Sequence, residues 1–544
     1  MDWKIISALT GNRLADAHTF SFDSVAALYD EQDPRRLATY RERAETVTPR
    51  FDAVHRQKLV ASLRQYLQDI GASPKALEAN ERLLLEDSVA VITGQQAGLF
   101  GGPLFTIYKA ISAVGIAARL ERELKRPVVP VFWIASEDHD FAEVNHAYVL
   151  DKDDDVRRIR LPNAVEPHRM VYHTSLTRDD ALHVLGQARS TLGDGPYLAE
   201  LLRVYEETFV EGESLAKWFA RILAYLTEDM GLVILDPCLP ALRELVGPVW
   251  TSVIKERESI AHHLAKVYAE VDEAGFAPEV LRDELNSTLF YVSDGQRYVL
   301  ERTGGQRLRA RTLLEEKTVL EWIELAEKDP TAFSSNVLCR PVVQDHLLPT
   351  LAYIGGPSEI AYHPLSRGVF HALGRTLPPL LLRQRVTLLT SSVRRQMEKW
   401  HVSSEAIIEQ QSLVDPMLAQ HGKDEVDALF EVLGAEAEGR WNGIAARFES
   451  CGPQVADIMR RQMLRDLEGM QRVRRKLSRL IELRHDDSVR QLRHIERWLW
   501  TDGHLQERRL SLLPFWAKYS TLWISGLPKW DGYDNPGAVY LVSL

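Results

Sequence analysis

Ser88-Val89-Ala90-Val91-Ile92-Thr93 followed by Gly94-Gln95-Gln96-Ala97-Gly98-Leu99-Phe100-Gly101-Gly102-Pro103 is a short apolar run that opens into a glycine-rich loop. Pro103 stands where a helix begins, since its fixed φ suits the first helical position. Leu104, Ile107, Tyr108, Ile111, Val114, Gly115 and Ala118 then recur at steps of three and four. That spacing predicts a helix with one buried face. Its basic end, Arg122 to Arg126, suits the helix dipole, and Pro127 stops it. Val128-Val129-Pro130-Val131-Phe132-Trp133-Ile134 follows with no polar alternation, the pattern of a strand covered on both faces. The unit reads strand, glycine loop, helix, strand. It predicts an α/β fold with a parallel sheet and a right-handed crossover.

Working outward, residues 1–85 read as mostly helical and polar, with Leu59, Leu63 and Leu67 at helical spacing. Residues 146–172 read as a small β excursion, with an acidic loop tip at 151–155. Residues 176–228 look helical. Residues 231–237 form another short core strand, and 245–275 a helix. A meander is expected over 289–311, with turns at Ser293-Asp294-Gly295 and Thr303-Gly304-Gly305. Residues 347–354 are strand-like, and Gly355-Gly356-Pro357 turns them into a helix over 358–373. That repeats the grammar of the first loop. A further apolar run covers 380–389. Met463, Leu467, Met470, Val473, Leu477 and Leu480 step by threes and fours, as do Val489, Leu492, Ile495 and Leu499. They predict a helical hairpin or short coiled coil, paired with a second chain or with helices from 390 to 450.

The chain has 544 residues, enough for roughly two to four domains. A net charge of -11 argues against a nucleic-acid partner, which usually meets a basic face. Cys238, Cys339 and Cys451 are too few and too scattered for a disulfide framework or a CxxC zinc pattern. Met1-Asp2-Trp3-Lys4 lacks the basic start of a signal peptide, and no apolar run approaches the roughly 18 residues of a membrane span. A cytoplasmic protein that binds neither membrane nor nucleic acid is expected.

In open α/β sheets, ligands bind beyond the carboxyl ends of the strands. The first loop there offers Gly98, Gly101 and Gly102 for close backbone approach of a phosphate or carboxylate. Thr93, Gln95 and Gln96 add side chains that donate and accept. A tight turn without a ligand is the competing reading. The second loop, Ser136-Glu137-Asp138-His139-Asp140, crowds three carboxylates and an imidazole behind a buried strand. Such crowding is costly without a cation, an ammonium or a base role to justify it. A solvated polar loop is the alternative. No HExxH spacing supports zinc. The third loop supplies Tyr353, Gly355, Gly356, Glu359 and Tyr362. Arg383 and Arg385 follow, placed for phosphate or for a salt bridge. Gln506, Glu507 and Arg508 form a further polar patch, or cap a helix.

Taken together, Thr93-Gly94-Gln95-Gln96 with Gly101-Gly102-Pro103, Glu137-Asp138-His139-Asp140, Tyr353 to Tyr362 and Leu505-Gln506-Glu507-Arg508 resemble the cysteine ligase (cysteine-adding enzyme, BshC) family of bacillithiol biosynthesis. The resemblance covers essentially the whole chain. It implies an amide-forming ligase that adds cysteine to glucosaminyl-malate, with ATP (or ADP) bound and magnesium a candidate. It also implies a Rossmann-like parallel-sheet core similar to nucleotidyl transferases, two inserted connecting modules, and a C-terminal α-helical coiled coil that makes a homodimer. The expected layout is N-terminal helices and the first part of the core over 1–150, and a first insert over 151–228. A core strand region (229–245), a second insert (246–335) and the rest of the core (336–389) follow. A helical coiled coil (390–512) and a tail packed on the core (513–544) complete the chain. Neither a HIGH nor a KMSKS sequence occurs, and a thiolate pair for zinc is missing, so no zinc is expected. Glu137, Asp138, His139 and Asp140 are the candidate catalytic set, holding an ammonium or taking the amine proton. Gly98, Gly101, Gly102, Gly355, Gly356, Arg383 and Arg385 are the candidates for nucleotide or anion. Nucleotidyl transfer to another small acid, and a non-catalytic helical scaffold with a degenerate core, are the rival readings.

Overall fold

The computed structural model describes residues 2–162, 165–409, 412–527 and 535–544. Five strands make the core sheet: β1 (Val89–Gln95), β2 (Val128–Ile134), β3 (Val233–Leu235), β4 (Thr350–Gly355) and β5 (Leu380–Leu382). Their order is β3-β2-β1-β4-β5, and every neighbouring pair is parallel. This is the Rossmann-like sheet, and its winding reverses between β1 and β4. All of β2 and β4, and all of β1 except Gln95, are buried. Burial on both faces explains the apolar runs without alternation. Register pairs Thr93 with Ile354 and Gln95 with Ile134, so the loops after β1, β2 and β4 leave one edge together. Helix α1 (Phe105–Leu124) follows β1 and packs on β1 and β2. Helix α2 (Pro357–Ala372) follows β4.

Several expected boundaries move. Residues 1–85 are not wholly helical: Trp3–Ser7 is a strand, antiparallel to Ala538–Ser543, in a small sheet completed by Arg385–Leu389. The boundary at 150 would cut a hairpin, because His146–Leu150 pairs with Val156–Arg160. The expected strand over 347–354 starts later, since Arg340–Leu347 is a helix. The expected helix over 245–275 is two helices, Pro240–Lys255 and Arg257–Glu273. The meander is wider than 289–311. It is a five-stranded antiparallel sheet from Asn286–Ser293 to Glu315–Thr318, edged by Phe333–Ser335.

Residues 1–388 with 506–544 form one compact unit, and residues 389–505 form a second. Residues 506–512, expected in the coiled coil, therefore belong with the core. Within the second unit, Lys423–Arg447 packs along Pro453–Arg484. Trp441 Nε1 donates to Asp466 at 2.9 Å and Arg474 pairs with Asp427 at 2.6 Å, so the two helices run antiparallel. Of the step-three-and-four pattern over 463–480, Met463, Leu467 and Met470 are half-buried, Leu467 beside Gly434 of the earlier helix, while Val473, Leu477 and Leu480 stay exposed. Val489, Leu492, Ile495 and Leu499 are buried on Asp486–Leu499. In the expected tail, Leu513–Tyr519 is a largely buried helix, while 528–534 lie outside the described residues. Among the described residues no helix is long and apolar enough to cross a membrane.

Candidate active site

At the end of β1 the chain must pass close to β2. A Cβ on Gly94 would lie 2.8 Å from the Trp133 carbonyl oxygen. One turn into α1, Lys109 is only 2% exposed and reaches back to this loop. Its Nζ donates to the Gly94 carbonyl at 2.7 Å and to Gln95 Oε1 at 2.9 Å, and it pairs with Glu359. Glu359 also accepts from the Tyr353 hydroxyl and, at 2.8 Å, from the Gly356 N–H. Burial alone would raise the Glu359 carboxyl. The Lys109 ammonium and the Gly356 N–H outweigh it and hold the pKa at about 2. Burial pushes the Lys109 ammonium down, against the pull of Glu359. The first N–H groups of α2, on Ser358 and Glu359, have no intrahelical acceptor, as at any helix start. They face the region of a favourable anion.

At the end of β2, Ser136 and Glu137 turn inward. Glu137, 5% exposed, pairs with Arg243 and accepts from Ser335 Oγ at 3.3 Å. Below it, Ser136 Oγ donates to Asp236, whose carboxyl burial pushes up to about 6, and contacts Cys238 Sγ at 3.3 Å. Burial raises the Cys238 thiol to about 12, which makes it inert as a nucleophile. Asp138 accepts from the Gln96 amide and from the His139 and Asp140 N–H groups. Burial raises its pKa, but the Gln96 bond and the nearby Arg297 charge bring it below the usual carboxylate value. Gln96 also donates to Glu143 at 2.9 Å. Burial, then Arg297, lower the His139 pKa, and its Nδ1 is buried without a hydrogen-bond partner. A neutral imidazole is what a general base requires, and the buried Nδ1 faces Asp138 Oδ1 at 3.8 Å.

These loops surround one cavity of about 690 Å3. Gln95, Gln96, Glu137, Asp138, His139, Tyr353, Gly356, Glu359, Tyr362, Arg383 and Arg508 all line it. The opposite wall comes from the second insert, including Arg282, Asn286, Phe290 and Arg297. The cavity is therefore acidic near Asp138 and Glu143, and basic near Lys109, Arg340 and Arg383.

Other expected residues lie elsewhere. Thr93 is fully buried and its hydroxyl donates to the Ile354 carbonyl at 2.8 Å. Gly98, Gly101 and Gly102 are not in the cavity lining. Their turn packs against the first insert, with Phe100 set edge-on to Tyr205, and Gly101 beside Leu512 and Ile222. The α1 start is occupied too, because the Leu104 N–H donates to the Leu510 carbonyl at 2.9 Å. The anion-favouring helix start is thus at the third loop, not the first. Gly355 underlies Glu359, where a Cβ would come within 2.9 Å of the Glu359 Cβ. Arg385 donates to the Ala8 and Leu9 carbonyls and anchors the N-terminal segment. Asp140 is exposed and caps the short helix Phe141–Val144. Gln506 is spent on the Leu388 N–H and carbonyl. Glu507 grips Arg383 with both oxygens, at 2.9 and 2.7 Å, and so acts on the cavity through that arginine. No group of three or more His, Cys, Asp or Glu side chains placed to hold a metal ion occurs among the described residues.

Lys109, Arg297 and Arg340 were not read from the sequence. Lys109 left a signal: it is the one charged residue between Phe100 and Arg119, on a helix with a buried face. The two arginines left none: Arg297 is brought in by the second insert and Arg340 by the helix that precedes β4, and no local pattern records either docking.

Residues 1–384 match the model of the bacillithiol biosynthesis BshC N-terminal Rossmann-like domain, and residues 386–529 that of the BshC C-terminal coiled-coil domain. The chain is 31% identical over 523 residues to a protein of Heliobacterium modesticaldum, covering 94% of this chain and 95% of that one. It is 30% identical over 563 residues to one of Symbiobacterium thermophilum, covering 98% of each. It is 31% identical over 515 residues to one of Solibacter usitatus, covering 93% and 90%. All three carry the name "Putative cysteine ligase BshC".

Proposed function

The chain belongs to the BshC family of bacillithiol biosynthesis, and on that premise we propose that it is a ligase joining the carboxyl of L-cysteine to the amine of glucosaminyl-malate. The observation that carries the reading is the cavity at the sheet's reversal point, with Asp138 and Glu143 at one end and Lys109, Arg340 and Arg383 at the other. An amino acid with its ammonium at one end and its carboxylate at the other matches that polarity.

A carboxylate does not react with an amine unaided, so activation by ATP supplies the leaving group, as phosphate of an acyl phosphate or AMP of an acyl adenylate. The Ser358 and Glu359 N–H groups, with Arg340, are the donors we assign to the anionic part, while the three N–H groups of Lys109 are spent within the fold. Asp138, oriented by Gln96, holds an ammonium. His139 takes the proton that the attacking nitrogen sheds as the C–N bond forms and the leaving group departs. If magnesium accompanies the nucleotide, Asp138 and Glu143, both bonded to the Gln96 amide, are the carboxylates of the cavity that would share it. The chain acts in the cytoplasm in this reading. It pairs through the second unit, where Ile458, Leu464, Val473, Leu477, Leu480 and Leu483 leave an apolar stripe exposed.

The test is product formation by purified protein from cysteine, glucosaminyl-malate, ATP and magnesium, followed by mass spectrometry. Bacillithiol formed only with ATP, and lost in Asp138→Ala, is the expected result. ADP or AMP release distinguishes the two activation routes. Nucleotide consumed with a different acid, and no bacillithiol, would favour nucleotidyl transfer instead.

A further inference from the structure

Arg297 is a buried cation with no anion of its own. It is 6% exposed, on the strand Gln296–Gly304 of the second insert, and it lines the cavity. Its side chain makes one hydrogen bond, from Nη2 to the Ser335 carbonyl, and its Nε is buried without a partner. The two acids whose charges reach it are Glu137 and Asp138. Both are already engaged. Glu137 is held by Arg243 and Ser335, and Asp138 by Gln96 and two backbone N–H groups. Arg243 adds a like charge. A desolvated guanidinium left so poorly matched is costly, and native proteins seldom leave buried polar groups unmet without a functional reason.

The guanidinium is also held still. Its Cζ lies 3.9 Å from the centre of the Phe290 ring, so the planar fork is stacked and fixed. The His139 ring meets the same phenyl ring edge-on, 6.0 Å between centroids. Base and guanidinium thus share one aromatic wall. The strand carrying Phe290 is irregular just before it. Register shifts between Asn286 and Phe290, and Thr288 takes φ 69, a left-handed conformation that β-branched residues avoid. Strain of this kind gathers where a wall is shaped for a ligand.

We infer that Arg297 anchors a carboxylate of the amine substrate, so that the second insert selects an acidic acceptor while the Rossmann-like core handles activation. The inference rests on the ligase reading for the identity of the acceptor. The chemistry fits it: the amine and the malyl group stand on adjacent sugar carbons, the malyl carboxylates joined through the glycosidic oxygen, and His139 and Arg297 flank the same Phe290 ring. A planar fork pairs with a carboxylate through two parallel bonds, which lysine cannot reproduce.

The experiment is calorimetric titration of the full-length protein with glucosaminyl-malate, with L-malate, and with methyl glucosaminide, which keeps the amine and lacks the carboxylates. Wild type, Arg297→Gln and Arg297→Lys are compared, each checked for an unchanged melting profile. We expect Arg297→Gln to weaken glucosaminyl-malate and malate at least tenfold and to leave methyl glucosaminide unchanged, with Arg297→Lys between. If Arg297→Gln does not fold, the same contrast is read from Arg297→Lys. Malate binding that depends on Arg297 without any glucosaminyl-malate binding would keep the anchor and overturn the ligase reading. Equal affinities in wild type and variants, equal losses for the carboxylate-free sugar, or no malate binding by wild type would overturn the anchor.

Discussion

At Lys109 a single ammonium ties the end of β1 to the start of α2: it holds the Gly94 carbonyl, the Gln95 amide and the Glu359 carboxylate at once. Replacing it with methionine keeps the stem and leaves Glu359 buried without its counter-charge. We expect Lys109→Met to cost roughly 3–5 kcal/mol of stability, the usual penalty for breaking a buried pair. Ligase activity should be lost, as read by thermal melting and product assay. His139 makes a second prediction. Its pKa in the fold lies below 6.5, so the folded chain resists a proton that the unfolded chain accepts. Its contribution to stability is therefore intact above pH 6.5 and falls as pH drops beneath it. An NMR titration of labelled histidines, with the His139 signal identified by its absence in His139→Gln, should show a midpoint below 6.5. A midpoint above 7 would remove it as a neutral base. Asp236 behaves oppositely. Burial raises it to about 6 from 3.8, so its stabilising share is full below pH 3.8 and disappears as pH rises through 6. Melting temperatures of wild type and Asp236→Asn should diverge across that window and run parallel outside it. None of these pairings follows from neighbouring residues. Lys109 and Glu359 are 250 positions apart, and only the parallel register of β1 with β4 sets them together.

The two glycine loops look alike in sequence and differ as elements. In the first, Gly102 has φ 73 and ψ -166, a region open essentially to glycine, and a Cβ would meet Thr106 Oγ1 at 3.0 Å. Gly102→Ala should lower the melting temperature, by the equivalent of roughly 1–3 kcal/mol, without a selective loss of ATP affinity in the folded fraction. In the second, Gly356 has φ -78, which any residue adopts, and a Cβ would rest 3.5 Å from Glu359 Oε2 and 3.9 Å from Arg383 Nε. Gly356→Ala should melt like wild type and bind ATP about tenfold more weakly, because its methyl intrudes on the α2 start. Equal effects of the two substitutions on ATP affinity would mean the loops are not distinguished as described. The sequence placed both strand–loop–helix units, since period and turn chemistry are local. It did not say which helix start stays open. The Leu510 carbonyl that closes the first one belongs to a segment about 400 residues later.

Across the whole molecule, the chain leaves the core unit after 388 and returns at 506. The returning segment completes the cavity's basic end, with Glu507 clamping Arg383 and accepting from the Val386 N–H at 3.2 Å. Glu507→Gln should destabilise the core and weaken ATP binding together, because the freed Arg383 loses its fixed position beside Gly356. A chain ending at 505 should fail to give a folded core, judged by solubility and melting. It would lack Glu507 and the strand Ala538–Ser543 that pairs with Trp3–Ser7. What the sequence determined by itself was the Rossmann-like α/β core, the cluster around Asp138 and His139, and the helical second unit. Each is written in short-range periodicity, turn residues and the family's motifs. Tertiary structure alone decided which glycines line the cavity, that residues 506–512 belong with the core, and that Lys109, Arg297 and Arg340 enter the site. The reason is that buried charges are matched by partners across the fold, and the spacing of residues along a chain does not encode those meetings.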